Sequence, residues 1–555
     1  NQAPRRRPSL REVVATIDRD ILHLLLRRYN VLLRMRGNRG FLAAAEEKQL
    51  REAWQKEAER LSPDPKLSSQ FFSLMQEVTF RPKPLTDGEH GPRRQGFNLA
   101  PPRRPVAMRL RLPADAWRSN AWLLLAAASG RPVSIDPCLM HDGQHHFLKA
   151  LGALGATVNR IEDAVSVAAG QGLRFGDASL HVGEDIDSFY LLAAQYAVRP
   201  SRVRFTGEGA LKSADLSSLS RFLPMLGTRL APVVPRSGGF PVRLECSGML
   251  PEKLAVPADV PAHFVAALML ALPFAERPCA LDFSSHPACG RILDSALPLL
   301  RQSGVKLVES ARGALQVSPS ELDVPEAPVI PADETVAAGL LALPLVLGGE
   351  AEFEGHLPDP EEARCPFGFY FRELGLVLRR AGTGRFTVKM ARGLVESAGN
   401  ALPDALAPML HGRHAWLAAM IYAVRALCTD GAALPGKADG ALGDFFSAAG
   451  LYQSADGMLR KKSQVNETVS WNAPSGRWAL ALAVAACARG ALPGFKLGDP
   501  GIMTAVWPRF WTVYNALPEP GKIRREENAA AEKKRRRIIT GAVAELPPEN
   551  RDDDE

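Results

Sequence analysis

The sequence predicts a multidomain protein in which an all-helical N-terminal domain precedes a much larger α/β body built from six repeated units. Two observations support this prediction. From residue 9 to about residue 85, apolar residues recur at spacings of three and four with no strand pattern among them. From about residue 106 to residue 517, an apolar helix-like run recurs six times.

The N-terminal segment 9–85 is expected to form three helices. Apolar residues follow the helical period from Leu10 to Met35. A helix of that length, about seven turns, needs a partner helix along its apolar face. A second helix is predicted over residues 44–61 and a third after Asp64-Pro65. Residues 86–105, with repeated Pro and Arg, are predicted to be a linker.

The repeat of the body is defined by its helix-like runs and by the glycines that follow. Each run is followed by a second run, which in five units ends in glycine, the expected residue just after a helix. The helix-like runs cover residues 119–128, 187–197, 261–275, 334–347, 413–427 and 477–489. The glycines are Gly155, Gly227, Gly304, Gly375 and Gly450, which are 72, 77, 71 and 75 residues apart. Each unit is therefore expected to contain two helices and a few short strands.

Six units in two lobes of three resemble the architecture of EPSP synthase and its enolpyruvyl-transferase relatives. The similarity is clearest from Leu112-Pro113 through Ser119-Asn120. The resemblance implies an inside-out α/β barrel fold, with lobe A formed by residues 106–114 and 333–517 and lobe B by residues 115–332. It also implies binding of shikimate 3-phosphate and phosphoenolpyruvate, two anions that such enzymes hold with Lys and Arg.

Most of the cations that the resemblance calls for are absent from the matching positions. Ala116 and Ala121 replace a lysine and an arginine, and Pro261-Ala262-His263 replaces a Ser-Ser-Gln triplet. Residues 184–190, which replace an Asn-Ala-Gly-Thr loop and its arginine, carry three carboxylates. We therefore expect that the transferase reaction of the family is lost.

Four residues of the body remain at positions that match the family, and they are predicted to be remnants of its site. Asp404 lies where the family has its general-base aspartate, and Arg477 lies where it has the arginine of Asp-His-Arg. Ser119 and Asn120 match the family's first helix. An aspartate before an apolar helix is also a good N-cap, so a structural role for Asp404 is an equally valid interpretation.

Segment 9–85 resembles the all-helical chorismate mutase family. Leu10-Arg11-Glu12 and Arg27-Arg28 follow the family's first helix, and Leu50-Arg51-Glu52 follows its second. The rearrangement of chorismate needs no nucleophile, only groups that hold two carboxylates and stabilise charge on the ether oxygen.

The resemblance implies a role for each polar residue of this segment. Arg11 and Arg28 would bind the carboxylates, Arg39 would replace a lysine at the ether oxygen, Arg51 would add charge, and Glu52 would accept the substrate hydroxyl. Lys48 and Lys83, at positions where the family has acidic or amide side chains, are predicted to contact substrate as well. Arg11 and Arg28 are 17 residues apart, which is about 260° around a helix, so one helix cannot aim both at one substrate. An intertwined homodimer, as in the family, would solve this.

Composition narrows the remaining functions. The seven cysteines form no CxxC pair, so neither a zinc site nor a disulfide framework is indicated, and no metal or cofactor is expected. Apolar stretches such as 478–487 are half the length of a membrane span, and no secretory signal is evident, so a cytoplasmic protein is expected. The net charge of +8 suits small anionic substrates. The basic run 533–537 lies in a charged tail, 518–555, that is interpreted as solvated rather than as a nucleic-acid site.

Three functions follow from this sequence. The leading hypothesis is a chorismate mutase of aromatic amino acid biosynthesis that converts chorismate to prephenate and carries a degenerate EPSP synthase-like body. The second is a bifunctional chorismate mutase and 3-phosphoshikimate 1-carboxyvinyltransferase. The third is a non-catalytic regulatory or scaffolding protein of the shikimate pathway.

Overall fold

The structure is a computed structural model in which the chain divides into two compact units, Asn1–Arg93 and Arg94–Glu555. It describes residues 97–234, 239–359, 365–390, 402–462, 470–491 and 494–520 of the second unit. Of the first unit it describes residues 24, 28, 31, 49, 50 and 52–54, which are helical.

The second unit alternates short strands with helices. Its helices in the described ranges are α1 Ala116–Ser129, α2 Asp142–Ala153, α3 Ile186–Ala197, α4 Ser217–Phe222, α5 Ala262–Ala271, α6 Cys289–Gln302, α7 Glu334–Leu347, α8 Gly368–Arg372, α9 Leu406–Met409, α10 Ala415–Cys428, α11 Gly440–Ala448, α12 Gly476–Ala486 and α13 Phe510–Asn515. Its strands there are β1 Phe97–Asn98, β2 Val106–Arg111, β3 Val133–Ile135, β4 Val158–Ile161, β5 Ala164–Val167, β6 Ala178–His181, β7 Ser201–Thr206, β8 Thr228–Pro232, β9 Val242–Cys246, β10 Lys253–Ala255, β11 Cys279–Asp282, β12 Leu307–Ala311, β13 Ala314–Val317, β14 Gly349–Glu354, β15 Val377–Arg380, β16 Arg385–Met390, β17 Ala432–Ala433, β18 Leu451–Gln453, β19 Met458–Lys461 and β20 Lys496–Leu497.

The strand orders of the sheets repeat, as the sequence period predicts. Three sheets have the orders β6-β7-β9-β8, β10-β11-β13-β12 and β2-β14-β16-β15. In each, the first two strands are parallel and the others join antiparallel. The sheets β3-β5-β4 and β17-β19-β18 reproduce the antiparallel part of this pattern. The body is therefore a set of copies of one folding unit.

Six apolar helices fill the interiors of two lobes. They are α1, α3, α5, α7, α10 and α12. They form over the six predicted apolar runs, and most of their residues are buried. A helix that is apolar on all sides must be enclosed by other elements. One core is built from residues between 114 and 330, and the other mainly from residues 99–112 and 332–517.

The chain crosses between the lobes twice, and the two crossings lie side by side. Ala114 and Ala332 form an antiparallel bridge at this point. Contacts between the lobes flank the crossings: Arg111 pairs with Asp136 at 3.1 Å, and the Thr504 hydroxyl donates to Asp142 at 2.7 Å. These contacts fix the position of one lobe against the other.

Two details refine the predictions. The repeat-closing residues Gly227 and Gly450 have φ values of 64° and 69°, which explains why the motif ends in a residue without a side chain. Strand β1 lies inside the predicted linker 86–105, because Phe97 and Asn98 pair with Leu497 and Lys496.

No helix in the described part of the chain is both long enough and apolar enough to cross a bilayer.

Close packing at the ends of α10 and α12 gives a test of the lobe A core. A Cβ atom added at Gly490 would lie within bonding distance of the Leu427 carbonyl oxygen, at 1.6 Å, so backbone must move to admit it. Gly490→Ala should therefore lower the free energy of unfolding by about 1–3 kcal/mol. Gly152→Ala, in α2, is the matched control, because a Cβ there meets nothing within 4 Å. That control should be neutral or slightly stabilising in the same denaturant titration. Equal stability of the two variants would contradict the packing described.

Candidate functional site

In lobe B, the first turns of α3 and α5 meet through a histidine–carboxylate pair. The His263 Nδ1 donates to Asp187 Oδ1 at 2.6 Å. The His263 ring lies 5.9 Å from the ring of Trp117 in the first turn of α1, measured between centroids. The side chains of His263 and Asp187 are 38% and 34% exposed, so the pair is accessible to a ligand.

Aspartates cap α1 and α7 where the lobes meet. Asp115 accepts from the backbone N–H of Arg118 at 2.8 Å, and Asp333 accepts from those of Thr335 and Val336 at 3.0 Å. Burial, together with the negative charge of Asp115, raises the pKa of Asp333 to about 7. The two caps belong to different lobes, so the helices that they cap begin at a shared site.

The other two buried apolar helices of lobe A, α10 and α12, bring arginines to the same site. His414 directly precedes α10, and Arg477 lies in the first turn of α12. Burial and the positive charges of Arg413, Arg477 and Arg291 lower the pKa of His414 to about 4. Arg291 comes from the first turn of α6 in lobe B, so this cationic cluster also spans both lobes.

A glutamate lies between these cations and the caps. Burial raises the pKa of Glu334, Arg413 opposes that shift, and Asp115 adds to it. The Arg413 guanidinium is 4.0 Å from the Glu334 carboxylate. We call the whole region the interlobe site. It consists of Asp115, Arg118, Asp187, His263, Arg291, Asp333, Glu334, Arg413, His414 and Arg477.

The four arginines of the interlobe site are matched in number by four carboxylates, Asp115, Asp187, Asp333 and Glu334, but the carboxylates are engaged and two of the arginines are not. Its aspartates are committed to backbone N–H groups or to His263, whereas Arg291 and Arg477 have no hydrogen bond or ion pair among the described residues. Six helix N-termini add a partial positive charge, each equivalent to roughly half an elementary charge. Such an arrangement stabilises a small anion with more than one negative group.

The structure places the two charged remnants of the family's site, Arg477 and Asp404, at different sites. Arg477 lies in the interlobe site, but Asp404 lines a separate pocket of about 420 Å³ with Tyr422 and Arg425. Tyr422 is eight residues along α10 from His414, roughly 12 Å at the rise of an α-helix. Ser119 and Asn120 are buried in α1, at 0% and 2% exposure. Of the four remnants, only Arg477 lies among the exposed charged groups of the site.

Two of the residues predicted for the helical segment fall among the described residues. Arg28 is partly buried, and burial lowers its pKa, whereas Glu52 is exposed. Leu24 and Val31, on the same helix face as Arg28, are 62% and 49% exposed. The other predicted residues lie outside the described residues: Arg11, Arg39, Lys48, Arg51 and Lys83.

Sequence reasoning missed most of the cations of the interlobe site. It compared only positions that match the family, and Arg118, Arg291 and Arg413 lie at other positions. A local pattern in the sequence could have found them, because each of these arginines lies in the first turn of a predicted helix or just before it. No group of three or more possible metal ligands occurs in the described ranges.

Comparison with known proteins agrees with this fold. The profile of the EPSP synthase family (3-phosphoshikimate 1-carboxyvinyltransferase) matches residues 101–429, more than half of the chain. Curated relatives include 3-phosphoshikimate 1-carboxyvinyltransferases from Opitutus terrae, at 26% identity over 47% of this chain and 61% of that protein, and from Actinobacillus pleuropneumoniae, at 28% identity over 38% and 50%. The matched stretch thus spans less than two thirds of either relative.

Solved structures extend the likeness of fold over the whole body. Two structures of EPSP synthase from Acinetobacter baumannii superpose with TM-scores of 0.57 and 0.58, at 16% and 17% identity. They cover 75% and 76% of this chain and 96% and 98% of their own. With the profile match and the repeated two-lobed topology, these findings place the chain in the EPSP synthase family.

Proposed function

We propose that the interlobe site binds a small polyanionic metabolite of the shikimate pathway without transferring an enolpyruvyl group, and that residues 9–85 act as a chorismate mutase. The observation that carries the first part is that Arg291 and Arg477 have no hydrogen bond or ion pair among the described residues where six helix N-termini meet. Shikimate 3-phosphate, the substrate named for the family, has the phosphate and carboxylate groups that such a site selects.

Loss of the transferase reaction is argued from the placement of Asp404. A general base must lie within hydrogen-bond reach of the proton that it removes. Asp404 lies beside Tyr422 and Arg425, away from the arginines that would hold the anion. Ala116 and Ala121 also lack the charges that the family has at those positions. Binding without turnover fits this arrangement better than catalysis.

The bifunctional alternative has one observation in its favour. The interlobe site holds four arginines, of which only Arg477 matches a position of the family, so the family's anions could still be bound. That alternative requires a different general base from Asp404. We treat it as the outcome to be tested against binding alone.

The mutase proposal rests on the residue pattern of segment 9–85 and on two observations in the first unit. Arg28 lies in a partly buried position, where burial lowers the pKa of its guanidinium. Leu24 and Val31 leave apolar area exposed beside it. An intertwined homodimer would cover that area and bring Arg11 of one protomer to the substrate of the other.

The arginines of the interlobe site should control anion affinity. Arg291→Gln and Arg477→Gln should each weaken binding of shikimate 3-phosphate, measured by calorimetry, because each removes a charged contact of about 1.5–3 kcal/mol, or roughly 10- to 150-fold. Arg229→Gln, an exposed arginine on β8, is the matched control and should bind like the wild type. Unchanged affinity in both site variants would refute the proposed site.

Enolpyruvyl transfer should be absent. Wild-type protein given shikimate 3-phosphate and phosphoenolpyruvate should release no phosphate above background, because Asp404, which matches the family's general base, lies in a separate pocket. The EPSP synthase of Acinetobacter baumannii, assayed in parallel, controls for the substrates. Phosphate release that depends on both substrates would establish the bifunctional alternative instead.

Chorismate should be consumed by the full chain, followed as the loss of its absorbance. Arg28→Ala should lower kcat/KM by roughly 10²- to 10³-fold, because it removes a donor to an anionic reacting group. Arg27→Ala is the matched control, because the resemblance to the mutase family assigns substrate binding to Arg28 and not to its neighbour Arg27. If wild type and Arg28→Ala turn over chorismate equally, or neither does, the mutase proposal is wrong.

A further inference from the structure

We propose that His263, held by Asp187, is itself a ligand-contacting group that donates from Nε2 to an anionic oxygen of the bound metabolite, so that anion binding at the interlobe site is coupled to proton binding. This inference rests on the proposed anion-binding function. It adds a proton-linked group to the arginines, which stay charged at all physiological pH values.

The geometry of the pair leaves one ring nitrogen available. Nδ1 of His263 is occupied, since it donates to Asp187 Oδ1 at 2.6 Å. Nε2 has no hydrogen-bond partner among the described residues, and 38% of the side chain is exposed. An imidazole fixed by a carboxylate at Nδ1 presents its second nitrogen in a defined direction. Nε2–H is therefore a preoriented donor at the start of α5.

The charged groups around His263 come from three other elements. Asp187 lies in the first turn of α3, Asp115 caps α1, and Arg291 lies in the first turn of α6. Burial acts to lower the pKa of His263, but the hydrogen bond and charge of Asp187 outweigh burial and raise the pKa overall. Arg291 opposes this shift and Asp115 assists it.

The direction of the pH dependence follows from these signs. The imidazolium form carries a positive charge toward a bound anion, whereas the neutral form offers only a dipole. Because the pKa of His263 lies above its usual value of about 6.5, the charged form persists at near-neutral pH and is lost as pH rises through that raised value. Anion affinity should fall over the same interval.

Sulfate is a suitable probe because it remains a dianion over the whole range in which histidine titrates. Calorimetric titration of the full chain should show roughly tenfold tighter sulfate binding at about pH 6 than at about pH 8.5, since a charge-assisted contact contributes on that order. His263→Gln should lose most of this pH dependence and keep only the part that protonation of Asp333 contributes. His145→Gln, a histidine of α2 beside Arg160, is the matched control and should keep the wild-type pH dependence.

A second variant separates His263 from the other groups that titrate nearby. Asp333 has a pKa of about 7, so its protonation could also favour anions at low pH. Asp187→Asn keeps the histidine but removes the carboxylate that raises its pKa. The midpoint of the sulfate dependence should therefore move to lower pH in this variant, and the His263 Cε1–H resonance should titrate with it.

The possible failures are distinguishable. Equal sulfate affinity of the wild type at both pH values, or the full wild-type pH dependence retained in His263→Gln, would overturn the role of His263 and leave the arginine site intact. An unmoved midpoint in Asp187→Asn would also overturn it. Absence of sulfate binding at either pH would overturn the proposed anion site, and this inference with it.

Discussion

The convergence of six helix N-termini between two lobes is the constraint on which the rest of this structure depends. Each N-terminus leaves unpaired N–H groups and a partial positive charge. Aspartates before α1 and α7 satisfy some of those groups, and burial, together with the charge of Asp115, raises the pKa of Asp333. Arg291 and Arg477 add positive charge that no ion pair among the described residues neutralises. A small anion is the simplest partner for what remains.

Repetition of one folding unit made the architecture predictable. The run 334–347 coincides with α7, because its apolar residues begin directly after a capping aspartate and end at Gly348. The run 119–128 fell short of α1 by three residues at its start, because the polar residues Arg118, Ser119 and Asn120 separate Ala116 and Trp117 from the continuous apolar run. The pairing of β1 with β20 joins residues about 400 apart, which local pattern cannot reveal.

The site was less predictable than the fold because its members are close only in space. Arg477 was found, since it matches a position of the family, and the Asp187–His263 region was recognised as altered. Arg291 and Arg413 come from opposite lobes and became neighbours only through the double crossing at Ala114 and Ala332. Asp404 matches a position of the family in sequence, yet it lines a different pocket from the site that contains Arg477. All the mutase residues, Arg28 and Glu52 included, remain predictions.

Crystals of the full chain soaked in tungstate would test the anion site most directly, because the anomalous signal of tungsten locates a bound oxyanion without assumptions about the ligand. The account predicts the strongest anomalous peak among Arg291, Arg413 and Arg477, within hydrogen-bond distance of their guanidinium groups. Tungstate bound only at other surface arginines, with none between the lobes, would contradict it.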